Sequence, residues 1–448
     1  MCTSLLVLCS CATYTPVPLS GNDVQTVLAS PDRVVLIQAA TALKHPYLVP
    51  IQLDFNKPLT PVALGVIAVL ANPDLRAMRA RESVSQAQVF AAGLLPDPTL
   101  SLTVDHALRP SDAATAFAGS LTFDLLGALA TAAVDKQISN AAAAQVRLDL
   151  AWQEWLTANQ AQLLATRLHY QREAEHLAQA AKVTARTLAN RIDSATRTGD
   201  VSHNELINAV TIHADATARA SGAVQAMEAT RLELNRTLGL QPNEVINIDD
   251  HDLPTCTANN DVEGLFAQAR AQRLDLRALE AGYESKEASV HRAVLGQFPR
   301  LTISLNRARD NGRVQSIGPT VNFDVPLWNR NRGALATGAA ERAAVGAEYA
   351  ARLYATRADI AALVADLREG ERGVRELTRD LPILEHTASA LDIAARRGDV
   401  KLADADTARA VAIDKRLALL SLQQACSEQQ LALHLALGLP INKNAENL

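Results

Sequence analysis

Pro299-Arg300-Leu301-Thr302-Ile303-Ser304-Leu305 alternates apolar and polar side chains with a period of two, the signature of a strand with two unlike faces. The pattern also stands 201 positions upstream, as Pro98-Thr99-Leu100-Ser101-Leu102. Asp74-Leu75-Arg76-Ala77 and Asp275-Leu276-Arg277-Ala278 share that offset. Phe123-Asp124 and Phe323-Asp324 are 200 apart. Gly199-Asp200-Val201 and Gly398-Asp399-Val400 are 199 apart, as are Leu238-Gly239-Leu240 and Leu437-Gly438-Leu439. Five short matches in one order at nearly constant offset identify a tandem duplication of a unit of about 200 residues.

Each copy carries the same succession of signals. A helix leads in, interrupted in the first copy at Asn72-Pro73. Two alternating segments follow, 99–107 with 113–125 in the first copy and 300–309 with 313–325 in the second. Turn-forming residues separate them: Arg109-Pro110-Ser111-Asp112 and Asp310-Asn311-Gly312. The reading is one hairpin per repeat. Residues 127–198 then contain no proline and, apart from Gly127, no glycine, which predicts a helix roughly 100 Å long at 1.5 Å per residue. Such a helix needs lateral partners. Leu156, Leu163, Tyr170 and Leu177 stand seven apart, as do Leu353, Ile360, Leu367, Val374 and Leu381, so the expectation is coiled-coil packing. Pro382 is expected to kink the second stretch or to mark a join between two helices. Gly199-Asp200 and Gly398-Asp399 reverse the chain, Ser202 with Glu205 reads as a capping box, and Leu-Gly-Leu ends each return helix.

The composition agrees with long, closely packed helices. Aromatic residues make up 4% of the 448 residues, whereas 82 are alanine. With 43 basic and 48 acidic residues the chain lacks the basic footprint of a nucleic-acid binder. No run of 18 apolar residues exists, so a membrane role has to come through strands or a lipid anchor. Four strands cannot close a barrel alone, and a bilayer tolerates only helices and closed barrels. Three copies would give twelve strands, and their helices laid side by side would form a hollow cylinder. The expected fold is therefore mostly α with a membrane β-barrel. Each protomer is a duplicated α-helical hairpin with four strands, and a homotrimer closes the twelve-stranded barrel.

The boundaries expected are a lipoprotein-type signal segment at 1–11, a proline-rich extended segment at 12–57, the first repeat at 58–248, the second at 249–442 and a tail at 443–448. Leu8-Cys9-Ser10-Cys11 resembles a lipobox, which makes Cys11 the candidate acylated cysteine. It departs from the pattern in having no Lys or Arg ahead of a short apolar stretch, and the alternative is an unspecialised apolar N-terminus. With three of five cysteines in the first eleven residues, Cys256 and Cys426 stand alone, and neither a disulfide framework nor a CxxC metal site is expected.

Ala71-Asn72-Pro73-Asp74-Leu75-Arg76, Leu94-Leu95-Pro96-Asp97-Pro98-Thr99-Leu100 and, above all, Phe323-Asp324-Val325-Pro326-Leu327-Trp328-Asn329-Arg330-Asn331-Arg332-Gly333 are similar to motifs of the TolC-like outer-membrane efflux proteins. The flavour is that of resistance-pump members, CzcC-like ones included, and the resemblance spans residues 59–442. In the first copy Leu125-Leu126-Gly127-Ala128-Leu129 replaces the Pro-Leu-Trp run. The resemblance implies a lipid-anchored channel in the bacterial outer membrane, a passive trimeric conduit with its helical barrel in the periplasm. Its partners would be a periplasmic adaptor (membrane fusion protein), an inner-membrane pump of the RND type, and outer-membrane lipid. The adaptor would meet the helix-turn tips, here Gly199, Asp200, Val201, Gly398, Asp399 and Val400. An acidic pore constriction falls on Asp404, with Thr407 a departure from the pattern and Asp406 beside it. A ring of carboxylates would favour cations. The other reading of Asp404 is a solvated helix residue. The exported cargo would be small toxic compounds or metal cations.

An enzyme finds no support. The ten histidines are scattered without HExxH or CxxC partners, and no GxSxG, Walker or GxGxxG run is present, so no catalytic residue, metal site or cofactor is expected. Trp152 and Trp155 read as packing residues or equatorial anchors, not a ligand box. Two other functions remain open, a type I protein-secretion channel of the same fold and a periplasmic coiled-coil scaffold. The scaffold leaves the paired hairpins without a purpose.

Overall fold

The computed structural model describes residues 14–17, 24, 28–106, 108, 115–249, 253–310 and 312–439. Cys11 lies outside them. The elements run α1 (Arg33–Thr41), α2 (Pro61–Ala71), α3 (Pro73–Ala92), β1 (Thr99–His106), β2 (Thr115–Phe123), α4 (Leu125–Thr198) and α5 (His203–Thr237), then α6 (Val262–Gln272), α7 (Leu274–Leu295), β3 (Arg300–Arg309), β4 (Gln315–Asp324), α8 (Arg332–Arg397) and α9 (Leu402–Leu437). After α1 the second series repeats the first. Helix α1 departs from the expectation of an extended segment at 12–57. Between Pro31 and Pro46 there is room for two turns of helix, and the Asp32 side chain caps them by accepting from Val34 N at 2.8 Å.

The four strands form one antiparallel sheet in the order β1-β2-β3-β4, so β2 against β3 joins the two repeats, and β1 and β4 are the edges. Below the sheet α4 extends for 74 residues and α8 for 66. Helix α8 continues through Pro382 without a join. Pro382 and Thr378, whose carbonyl loses its donor, are both exposed, so water can take the freed acceptor and lateral packing holds the rest. The heptad expectation divides between the copies. In α8 the positions Ile360, Leu367 and Leu381 are buried. In α4 the leucines at 156, 163 and 177 are only half-buried, and the seam is lined by Ala158, Ala161, Leu164, Ala165, Leu168, Ala185 and Ala189. Alanine lets the helix axes approach, leaving the longer side chains for a further neighbour.

Two pseudo-equivalent junctions organise the middle of the molecule. At the α2–α3 break Asn72 Oδ1 accepts from the backbone N of Asp74 (2.9 Å) and Leu75 (3.1 Å), while its Nδ2 donates to the Thr237 carbonyl at the end of α5 (2.9 Å). At the α6–α7 break Arg273 replaces it and donates to the Ala436 carbonyl at the end of α9 (3.1 Å). Asn72 and Arg273 thus make the same long-range bond with different chemistry. Arg273 is buried, paired with Asp275 (2.7 Å) and stacked over Trp152 at 4.8 Å. The turn glycines complete both junctions. Gly239, at φ +65, lies so close to Ala71 that a Cβ would stand 2.6 Å from its carbonyl oxygen.

Tyr47 ties the leading segment to the second junction. Its hydroxyl donates to Gln272 O and accepts from Leu274 N (2.9 Å), and burial pushes the phenol up to about 12. It packs on Trp155, which is buried with Trp152 in one apolar cluster, as expected of packing residues. Across the repeats Arg167 on α4 grips Glu428 on α9 through two bonds of 2.8 and 2.7 Å.

Cys256 and Cys426 overturn the expectation that they stand alone. They are joined as a disulfide, with Cα atoms 5.5 Å apart and 170 residues between them in sequence. The bridge ties the segment before α6 to α9, a pairing that no local spacing encodes, and it suits an oxidising compartment.

The junction geometry predicts unequal costs for the glycines. Gly239→Ala must relieve both a left-handed backbone and a collision with Ala71, and should lower stability by about 2–4 kcal/mol. Gly199, at φ +83 with open space beyond it, carries only the backbone term, and Gly199→Ala should cost about 1 kcal/mol. Denaturant unfolding of the two variants checks the order; equal costs would remove the junction from the account.

Candidate functional site

The register assigns every strand residue to one of two faces. Leu100, Leu102 and Val104 share a face with Phe117, Leu121 and Phe123, with Leu301, Ile303 and Leu305, and with Ile317, Val321 and Phe323. Leu102 is 76% and Ile317 73% exposed, so nothing within the protomer covers this face. The opposite face carries Thr99, Ser101, Thr103, Ser120, Thr122, Thr302, Ser304, Asn306, Thr320 and Asn322, with Asp105, Arg300, Asp324 and small residues among them. Two side-chain bonds link that face, Thr122 to Ser304 (2.8 Å) and Asn306 to Thr320 (2.5 Å). A sheet apolar on one face and polar on the other separates hydrocarbon from water. Where the helices begin, Phe90, Leu94, Leu95, Phe298, Leu327 and Trp328 are exposed, Trp328 at 93%, forming an aromatic and aliphatic belt below the strands.

The opposite ends of the long helices carry the two tips. Gly199 at φ +83 and Gly398 at φ +82 close α4 and α8 with the same pair of bonds. Gly199 N and Asp200 N donate to the carbonyls of Thr196 and Ala195, and Gly398 N and Asp399 N to those of Ala395 and Ala394. Asp200 and Asp399 are exposed, and Val201 and Val400 half-buried. Ser202 caps α5 by accepting from Glu205 N at 3.4 Å. Lys401 begins α9 without a side-chain cap.

Asp404 and Asp406 lie on different sides of α9. Asp404 is exposed in the first turn. The Asp406 side chain is only 12% exposed and lines a groove with Ala178, Ala185, Leu188, Ala216 and Ile413, where α9 meets α4 and α5. Its nearest cation is Arg409 at 3.6 Å, and Oδ2 has no hydrogen-bond partner among the described residues. Arg409 also reaches Asp392 on α8, which holds Arg396 at 2.7 Å. The Arg396 hydrogen bond, aided by the Arg409 charge, keeps the Asp392 carboxyl below the ordinary range. Burial raises Asp406 above it, outweighing the pull of Arg409 and Arg191. The sequence reading missed this Asp392–Arg409–Asp406 chain. Its only sequence signal was the spacing of Asp406 and Arg409, three apart on one helix face.

Residues 265–439 match the family model described as outer membrane efflux protein. Over these residues the second repeat is similar to that family. A comparison with curated proteins returns no match. Solved structures extend the likeness over most of the chain. The outer-membrane channel OprN superposes with a TM-score of 0.69 at 18% identity, covering 92% of this chain and 96% of its own. The outer membrane protein VceC of Vibrio cholerae gives 0.66 at 18%, with 85% and 96% covered. The CmeC outer membrane channel of Campylobacter jejuni gives 0.68 at 14%, with 88% and 91% covered. At these identities the structures establish the fold of both repeats, and the efflux family is the one to which the run from Phe323 to Gly333 pointed.

A carboxyl raised by folding holds its proton more tightly in the folded state. Its stabilising contribution is complete below the ordinary aspartate value of 3.8 and is lost as pH rises through the raised one. Asp406→Asn should therefore flatten the fall of stability over that window. Thermal midpoints of both proteins across pH check it, and parallel curves would contradict it.

Proposed function

We propose that this protein is the outer-membrane channel of a tripartite efflux system, a passive conduit leading from a periplasmic adaptor and an inner-membrane pump to the exterior. The observation that carries the reading is the two-faced sheet with unpaired edges at β1 and β4. Inside hydrocarbon those edges require partners. Four strands per protomer allow β4 of one copy to meet β1 of the next in antiparallel register, and three copies close a twelve-stranded barrel with the apolar face outward. The helices continue as a periplasmic tunnel, with the half-buried leucines of α4 available to the neighbouring protomer.

In this reading the tips at Gly199-Asp200-Val201 and Gly398-Asp399-Val400 receive the adaptor. Asp404, exposed at the start of α9, lines the narrow end of the tunnel, while Asp406 belongs to the groove between helices. The pump is of the RND type and selects the cargo, small toxic compounds or metal cations. Cys11 carries the lipid anchor. The disulfide between Cys256 and Cys426 accords with periplasmic exposure of this part of the chain.

Density-gradient fractionation with mass determination of the detergent-solubilised protein tests the channel directly. The expected result is a homotrimer in the outer-membrane fraction; a soluble monomer or dimer would return the chain to the scaffold reading. Pore lining has its own test. Asp404→Ala should weaken cation preference in planar bilayers, and an unaltered reversal potential would take Asp404 out of the pore.

A further inference from the structure

The outward face of the sheet is apolar except at one end. Arg307 and Arg309 occupy the last two β3 positions of that face, beside the turn to β4. Arg307 lies between Gly119 of β2 and Ile317 of β4, and Arg309 between Phe117 and Gln315. Both arginines are exposed, and the turn beyond adds exposed Arg313. No Asp or Glu is among the described residues of this face, since Asp105 and Asp324 lie on the opposite one. Neither the Arg307 nor the Arg309 side chain has an ion pair or hydrogen bond among the described residues, unlike the arginines of the helical region that pair with carboxylates.

Two unpaired guanidinium groups on a lipid-facing surface need an explanation. At mid-bilayer each would be costly, while near the interface most of that cost disappears. They sit at the end of the strands away from the helices, which in the channel reading is the outer leaflet. Alternate residues of a strand are about 7 Å apart on one face, so both guanidinium groups can reach one phosphorylated headgroup while their stems lie along the apolar surface. Arginine offers the forked donors that phosphate oxygens accept in pairs. Both flanking strands belong to the same protomer, so closure of a barrel through β1 and β4 would leave the pair uncovered.

We propose that Arg307 and Arg309 form a binding site for the phosphate of an outer-leaflet glycolipid, one site per protomer on the outside of the barrel. The proposal rests on the channel reading above. The site would fix the height of the barrel in the membrane by pairing its two lipid-facing cations.

The test is native mass spectrometry of the full-length protein in detergent, with bis-phosphorylated lipid A, dephosphorylated lipid A, phosphatidylglycerol or inorganic phosphate added. Bis-phosphorylated lipid A should remain on the trimer in preference to the others. Arg307→Gln with Arg309→Gln should lower its retention at least about tenfold at unchanged trimer mass. Should the double variant not assemble, Arg309→Gln alone should lower it several-fold. Equal retention by wild type and variant, or equal competition by phosphatidylglycerol or inorganic phosphate, would overturn the site. Absence of any trimer in the spectrum would instead count against the channel reading, so the two failures are distinguishable.

Discussion

The two unpaired edges of the four-stranded sheet are the constraint to which the rest of the molecule answers. A free strand edge in water can be blunted by charge or covered by a loop; in hydrocarbon it has to be paired. One face of the sheet is apolar except at the turn end, where Arg307 and Arg309 stand; in the channel reading that face meets hydrocarbon, and the edges at β1 and β4 then require other copies of the chain. The even number of strands keeps every pairing antiparallel on closure. The long helices below meet the same requirement in a different form, because a 74-residue helix cannot stand in water on the burial of one seam alone. Its alanine seam is satisfied within the protomer, and its half-buried leucines face outward from it.

Duplication supplies both halves of this arrangement, but the two halves are held by different chemistry. Asn72 and Arg273 occupy equivalent helix breaks and reach equivalent carbonyls, one with a neutral amide and the other with a buried, carboxylate-paired guanidinium. The first repeat is covered by the leading segment, with Leu36 and Ala40 of α1 in its core. The leading segment reaches the second repeat through Tyr47 at the α6–α7 break, and there the disulfide between Cys256 and Cys426 also fastens the preceding segment to α9. Each repeat thus has its own means of holding an irregular strap against its helices.

Near the tips the charges are arranged for packing between helices. Asp392, Arg409 and Asp406 run from α8 through α9 into a groove lined by alanines, and the raised carboxyl of Asp406 is the cost of closing that groove. Asp404, two residues earlier, turns to solvent because a shift of two positions on a helix is about 200° around its axis. Adjacent acids of like type therefore have unlike surroundings.

The sequence by itself determined the duplication, the four strands and their two faces, the long helices and the turns that end them, because each of these is local periodicity or turn chemistry repeated at a fixed offset. It also pointed to the efflux family through the run from Phe323 to Gly333. Only the tertiary structure decided that α1 forms between prolines, that α8 passes through Pro382, that alanines with Leu164 and Leu168, not the heptad leucines, line the α4 seam, and that Asp406 leaves the side of Asp404 for a groove. The disulfide and the equivalence of Asn72 with Arg273 belong to the same class. Each depends on groups brought together across 160 or more residues, and no local pattern carries that distance.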